Sequence, residues 1–172
     1  MGMMLSSRAR YGVRATFQLA CHWGEGPIPL RTVAEEQDLS LAYLEQIVCI
    51  LRRDGLVSAV RGCRGGYELA REPSEISVGD VIRALEGPVT VSACAEPSPD
   101  FEECGRGDFC VSRLLWMKVN QQIQDAFDDV TFADLASASS QRSRGAAERQ
   151  LLQIQTVDAA LAAGDAAPAS GS

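Results

Sequence analysis

Apolar and polar residues alternate along the first half of the chain with the period of short amphipathic helices, each closed by a turn signal. Over residues 7–23, Val13, Phe17, Leu19 and Ala20 recur at helical spacing, and Gly24 with Gly26-Pro27 supplies a stop. A second short helix is predicted over 30–37, with Leu30, Val33 and Ala34 on one face. Asp38-Leu39-Ser40 makes a tight connection, and Ser40 is a suitable N-cap for a third helix over 41–54. Leu44, Ile47, Val48 and Leu51 form its apolar face, and Gly55 ends it where a left-handed residue is wanted. A strand-like run over 56–60, the loop 61–66 rich in Gly and Arg, and a second run over 67–70 predict a β-hairpin. Two short helices joined by a tight turn and followed by such a hairpin form the winged helix-turn-helix pattern.

Beyond the hairpin, Ser77 and Asp80 resemble a capping box in front of a fourth helix whose apolar face is Val78, Val81, Ile82 and Leu85, closed by Gly87-Pro88. Residues 89–110 read as a loop. Val111, Leu115, Val119, Ile123 and Phe127 then recur every four residues on a helix running to about 129. Leu114 and Trp116 widen its apolar stripe beyond what one small domain needs, which suits packing on a twin helix in a dimer. Residues 137–143 read as a polar linker. Leu151, Ile154, Val157 and Leu161 suit another amphipathic helix, and the Ala/Gly/Ser/Pro ending after Leu161 reads as disordered. The expected fold is therefore mainly α with a small β-hairpin wing. It divides into a winged helix-turn-helix domain over 1–87, a cysteine-bearing loop over 88–110, a long dimerisation helix with the following turn over 111–136, and a tail over 137–172.

At 172 residues the chain has room for one domain, or for a small domain plus a dimerisation element. Its hydrophobic share of 46% and charged share of 23% are those of a globular protein. No run approaches the ~18–20 apolar residues needed to span a membrane. Ser, Arg and Gly interrupt residues 1–14, so no secretory signal is expected, and the expected compartment is the cytoplasm. The net charge of −7 argues at first against nucleic acid, but it is unevenly placed. Residues 1–71 carry nine Arg against seven acids, whereas residues 72–172 carry seven Lys or Arg against sixteen acids. A basic-leaning half is joined to an acidic one, which permits DNA binding by the first.

In a winged helix-turn-helix domain the N-terminal residues of the third helix meet bases in the major groove. Ser40, Tyr43, Glu45 and Gln46 occupy those positions as exposed candidates. Gln can pair with adenine through two hydrogen bonds, and Glu can accept one from cytosine. Arg61 and Arg64 in the wing suit phosphate or minor-groove contact, with loop glycines letting backbone amides approach. Arg52 and Arg53 close the third helix at its negative dipole end.

The cysteines fall into two groups. Cys21 and Cys49 lie within helical patterns and read as buried small hydrophobes, while Cys63 in the wing reads as exposed. Cys94, Cys104 and Cys110 lie in a Gly/Pro-containing acidic loop, with nine and five residues between them. Such a loop can wrap several thiolates around one metal centre. Paired zinc ligands follow tighter C-x-x-C-like spacings, whereas iron–sulfur clusters tolerate more varied ones. The cluster expected is of the two-iron or the four-iron type, and three cysteines leave one ligand to be supplied otherwise. The single histidine, His22, beside Trp23 in the first helix, reads as a partly buried surface residue rather than a ligand.

Several segments together resemble the IscR/NsrR-type winged-helix regulators (the Rrf-two group). They are Leu5-Ser6-Ser7-Arg8-Ala9-Arg10-Tyr11-Gly12-Val13-Arg14, Ser40-Leu41-Ala42-Tyr43-Leu44-Glu45-Gln46, Asp54-Gly55-Leu56-Val57, the wing Val60-Arg61-Gly62-Cys63-Arg64-Gly65-Gly66-Tyr67-Glu68-Leu69, and Ile76-Ser77-Val78-Gly79-Asp80-Val81-Ile82. The resemblance covers about residues 3–136. It implies a homodimer on a pseudo-palindromic operator in double-stranded DNA, with the 111–129 helix crossing between subunits. In members with three cysteines in this loop it also implies an iron–sulfur cluster that changes operator affinity. IscR-like members carry a histidine three residues after the third cysteine, where this chain has Arg113. NsrR-like members borrow an acidic side chain from the partner's first helix, where this chain offers Arg8 and Arg10. Glu102, Glu103, Asp108, a water or a small thiol stay open as the fourth ligand.

Two function classes fit these features: a transcription regulator gated by an iron–sulfur cluster sensing redox state, iron or nitric oxide, and a cluster-free regulator controlled by thiol oxidation or a protein partner. An enzyme is not expected. The chain has no closely spaced cysteine pair, no Ser/His/Asp set and no phosphate-binding loop.

Overall fold

The computed structural model describes residues 5–63, 65–92 and 110–145. The chain divides into two units, Met1–Ala136 and Ser137–Ser172. In the first unit the order is α1 (Ser7–Cys21), α2 (Leu30–Gln37), α3 (Leu41–Arg53), β1 (Val57–Val60), β2 (Gly66–Leu69), a 3-10 turn at Pro73–Glu75, α4 (Val78–Glu86) and α5 (Val111–Asp128). In the first unit a further helix starts at Phe132, and of the second unit residues 137–145 are described and are helical. The stretch 137–143, expected as a polar linker, is therefore helix. The helix at Phe132 starts on a reciprocal cap in which the Asp134 N–H donates to Thr131 Oγ1 and the Thr131 N–H to Asp134 Oδ2. Only Ala, Ser, Gln and Arg follow Ala136 until Gly145, so nothing interrupts it.

Local chemistry explains the helix boundaries. The Ser6 hydroxyl accepts from the Ala9 N–H, Ser40 from Tyr43 and Ser77 from Asp80, so α1, α3 and α4 each begin on a side-chain cap. At α4 the Asp80 carboxylate also accepts from the Ser77 N–H, closing the capping box. Gly55 follows α3 at φ +71°, a conformation that side chains disfavour.

The core fills the space between α1, α3, α4 and the hairpin. Leu44, Ile47, Val48 and Leu51 are buried on one face of α3, with Leu19, Val33, Leu56, Val57, Leu69, Ile76, Val81 and Leu85 around them. The strands pair antiparallel in the register Val57↔Leu69 to Val60↔Gly66. Ile28, just before α2, bridges Tyr67 and adds a one-residue third edge to the wing. Gly66 is required there, because a Cβ would lie 2.4 Å from the Ile28 carbonyl oxygen.

The chain leaves this core along α5 and returns to it. Arg83 on α4 donates to Asp128 at 2.6 Å, the Val78 N–H to the Val130 carbonyl, and the Phe132 N–H to the Ile76 carbonyl. Phe132 is fully buried in the core. Midway along α5, buried Asn120 accepts from the Val91 N–H at 2.8 Å. The N-terminal end of α5 is otherwise: Val111, Leu114, Leu115 and Met117 are all exposed.

Candidate nucleic-acid interface

The α2–α3 connection is built from three residues. Asp38 takes a left-handed conformation (φ 52°), and its N–H closes back on the Ala34 and Glu35 carbonyls. The Leu39 N–H also donates to the Ala34 carbonyl, and Ser40 then caps α3.

Of the expected base-contacting residues, Ser40, Glu45 and Gln46 are exposed. Tyr43 differs from expectation. It is half-buried and packs against the core, its ring edge-on to Tyr11 of α1 with centroids 6.1 Å apart. The reason is its place beside Leu44, on the flank of the buried stripe rather than opposite it. Arg52 and Arg53 are exposed in the last turn of α3, Arg53 3.5 Å from Asp54. In the wing, Arg61 follows β1 and is exposed, as is Cys63. Arg64 lies outside the described residues.

The cysteine expectations divide in the same way. Cys94 and Cys104 lie outside the described residues. Cys110 is half-buried and forms the N-cap of α5, its carbonyl accepting from the Arg113 and Leu114 N–H groups. Among the described residues no three His, Cys, Asp or Glu side chains cluster as a metal site. Cys21 and Cys49 were expected buried, and both are exposed. On α3 the buried stripe is Leu44, Ile47, Val48 and Leu51, which turns Cys49 toward the face of Glu45 and Gln46. Cys21 is the last residue of α1, one step past the buried Leu19-Ala20 pair, although partial burial still pushes its thiol pKa up. His22 caps α1, its Nδ1 2.6 Å from Glu25 Oε2.

Three features escaped the sequence pattern. One is the Ile28 bridge, too short to leave a period. Another is a pair of hydrogen bonds from Arg14 to Gln37, side chain and carbonyl, each 2.9 Å. The third is the Tyr11–Tyr43 contact. Contacts between side chains on different helices leave no mark on either helix's own periodicity.

A family model described as Rrf2, Iron-dependent Transcriptional regulator, matches residues 5–138. The HTH-type transcriptional regulator IscR of Serratia proteamaculans (strain 568) is 41% identical over 135 residues, covering 78% of this chain and 80% of that protein. Among solved structures, T. potens IscR is 44% identical with a TM-score of 0.65, over 81% of this chain and 90% of that one. CymR (YrzC), described as the Global Cysteine Regulator of B. subtilis, is 39% identical with a TM-score of 0.63, over 80% and 98%.

Proposed function

The chain belongs to the Rrf2 family, whose members are DNA-binding transcription regulators and not enzymes, and from that premise we propose a homodimeric regulator whose operator affinity is gated by an iron–sulfur cluster. The observation that carries the DNA half is the outward presentation of Ser40, Glu45 and Gln46 at the start of α3, on the body that also carries the wing with Arg61. In this reading Ser40, Tyr43, Glu45 and Gln46 face the bases, and Arg61 and Arg64 hold phosphates. Arg61→Ala is expected to weaken specific and non-specific duplex binding alike and to lower the salt slope by about one. A loss confined to one base position would make Arg61 a base reader instead.

The cluster half rests on the donor set. Cys94, Cys104 and Cys110 supply three thiolates of the kind that hold iron–sulfur clusters, and the likeness to proteins named IscR supports it. When bound, such a cluster supplies a redox- and iron-sensitive centre. Cys110 is the link from that centre to the rest of the chain, because it stands at the first turn of α5, the helix proposed to pair between subunits. Glu102, Glu103, Asp108, a water or a small thiol completes the ligand set.

The test is anaerobic purification, with iron and sulfide counted per chain, followed by duplex binding before and after cluster removal. Bound iron and sulfide that vanish in Cys94→Ala, Cys104→Ala and Cys110→Ala, with altered duplex affinity, support the proposal. A colourless protein with three free thiols in the loop overturns it. The second reading is a cluster-free regulator governed by thiol oxidation or by a protein partner. The exposure of Cys49 on α3 and Cys63 in the wing favours it, as does the likeness to CymR. It predicts that an oxidant changes duplex affinity in protein shown to hold no iron.

A further inference from the structure

Tyr43 stands in the first turn of α3, yet much of its ring is used inside the protein. It meets Tyr11 edge-on, the planes at 90°, an arrangement that aromatic pairs favour. The Arg14 guanidinium lies over the same Tyr11 ring, 5.7 Å from its centroid. From there Arg14 Nε donates to Gln37 Oε1 and Nη2 to the Gln37 carbonyl. Gln37 is the last residue of α2, directly before left-handed Asp38. One α1 side chain therefore touches the end of α2 and, through Tyr11, the start of α3.

We propose that Arg14, acting through Tyr11, is a positioning residue for base recognition: it fixes the angle at which the first turn of α3 leaves α2. The inference rests on the assignment of residues 40–46 to base contact and adds the group that holds them in place. Base-edge hydrogen bonds tolerate only a few tenths of an ångström, so a small swing of α3 costs specific contacts first. Phosphate contacts by Arg61 and other exposed cations are less directional and survive such a swing. The job needs a guanidinium. Its planar fork engages Gln37 twice while its carbon lies over the Tyr11 ring, which an ammonium cannot reproduce.

The experiment uses a duplex selected by the wild-type protein from a randomised pool, and a scrambled duplex of equal length. Affinity for both is measured over a salt series for Arg14→Ala, Arg14→Lys, Tyr11→Phe and Tyr11→Leu, with thermal unfolding alongside. Arg14→Ala and Arg14→Lys are expected to lose about tenfold on the selected duplex, with unchanged scrambled-duplex affinity and salt slope. Tyr11→Phe keeps the ring and retains wild-type affinity, and Tyr11→Leu behaves as Arg14→Ala. Should Tyr11→Leu fail to fold, the two Arg14 variants with Tyr11→Phe decide the matter. Loss on both duplexes with a reduced slope, restored by Arg14→Lys, would make Arg14 a phosphate contact and overturn the proposal. Wild-type affinity in both Arg14 variants overturns it too. If the wild type selects no sequence at all, the base-reading assignment itself fails, a result distinct from either of these.

Discussion

The helices α3 and α5 carry similar apolar stripes and meet opposite fates. On α3 every stripe residue is buried: Leu44, Ile47 and Leu51 are fully enclosed and Val48 nearly so. On α5 the C-terminal half of the stripe, Val119, Ile123 and Phe127, is half-buried, while Val111 is 79% and Leu114 63% exposed. The first pattern is that of a domain completing its own core. The second is that of a helix whose apolar surface exceeds what the described residues cover, and such surfaces mark association sites. Periodicity reports where apolar residues gather, and only the fold reports whether the same chain buries them.

The sharpest way to break this contrast is to cut a core side chain that lies next to α5 in sequence. Phe132→Ala is expected to destabilise the domain by about 3–5 kcal/mol, seen as a lower denaturation midpoint, because a fully enclosed ring leaves a cavity. A loss below ~1 kcal/mol would mean that the return of the chain after α5 is dispensable to the core. Next in size, Leu114→Glu with Leu115→Glu places charge on the exposed end of α5 and is expected to weaken the proposed dimer about 100-fold, or ~2.7 kcal/mol. Light scattering across a dilution series checks this. An unchanged dimer with these substitutions would move the subunit interface elsewhere. Monomer stability should change by no more than ~0.5 kcal/mol, since both side chains are more than half exposed.

A smaller effect separates the local from the tertiary part of the body. Ser40→Ala removes the α3 cap and is expected to cost about 1 kcal/mol, read by denaturant titration. That cap was legible from sequence, as were the bounds of α2, the wing hairpin and the Ser77–Asp80 box, because each depends on residues three or four apart or on a glycine at a turn. Phe132 was not. It follows a helix end and an acidic pair, and its enclosure depends on hydrogen bonds to Ile76 and Val78, far away in sequence. Cys49 shows the same limit at a single position: it has apolar neighbours on both sides in sequence, and rotation of one residue around α3 puts it on the outer face. Of the candidate site, residue types at the start of α3 were readable, whereas the Tyr11–Arg14–Gln37 support behind them joins side chains of α1 to the end of α2 and leaves no local signature.

The smallest expected effect concerns acid, and it too distinguishes the α4–α5 clasp from the rest of the body. Burial raises the Asp80 pKa, but the Ser77 N–H and the Arg83 guanidinium outweigh it and hold the carboxyl below its ordinary value of 3.8. Hydrogen bonds from Thr131 hold Asp134 below 3.8 in the same way. A carboxyl whose pKa is depressed by folding stabilises the native state above its unfolded pKa, and that contribution fades as pH falls through the folded value. Stability should therefore be insensitive to these groups at neutral pH and decline below about pH 4. Asp80→Asn should flatten that acid limb by about 0.2–1 kcal/mol, the range for a partly exposed ion pair, because it removes the group that must be protonated. Arg83 also holds Asp128 at the end of α5, so the same variant tests how the clasp is shared. If the acid limb of Asp80→Asn overlays the wild type, the α4 cap is not what acid dismantles, and the Arg83–Asp128 contact holds the end of α5 without help from Asp80.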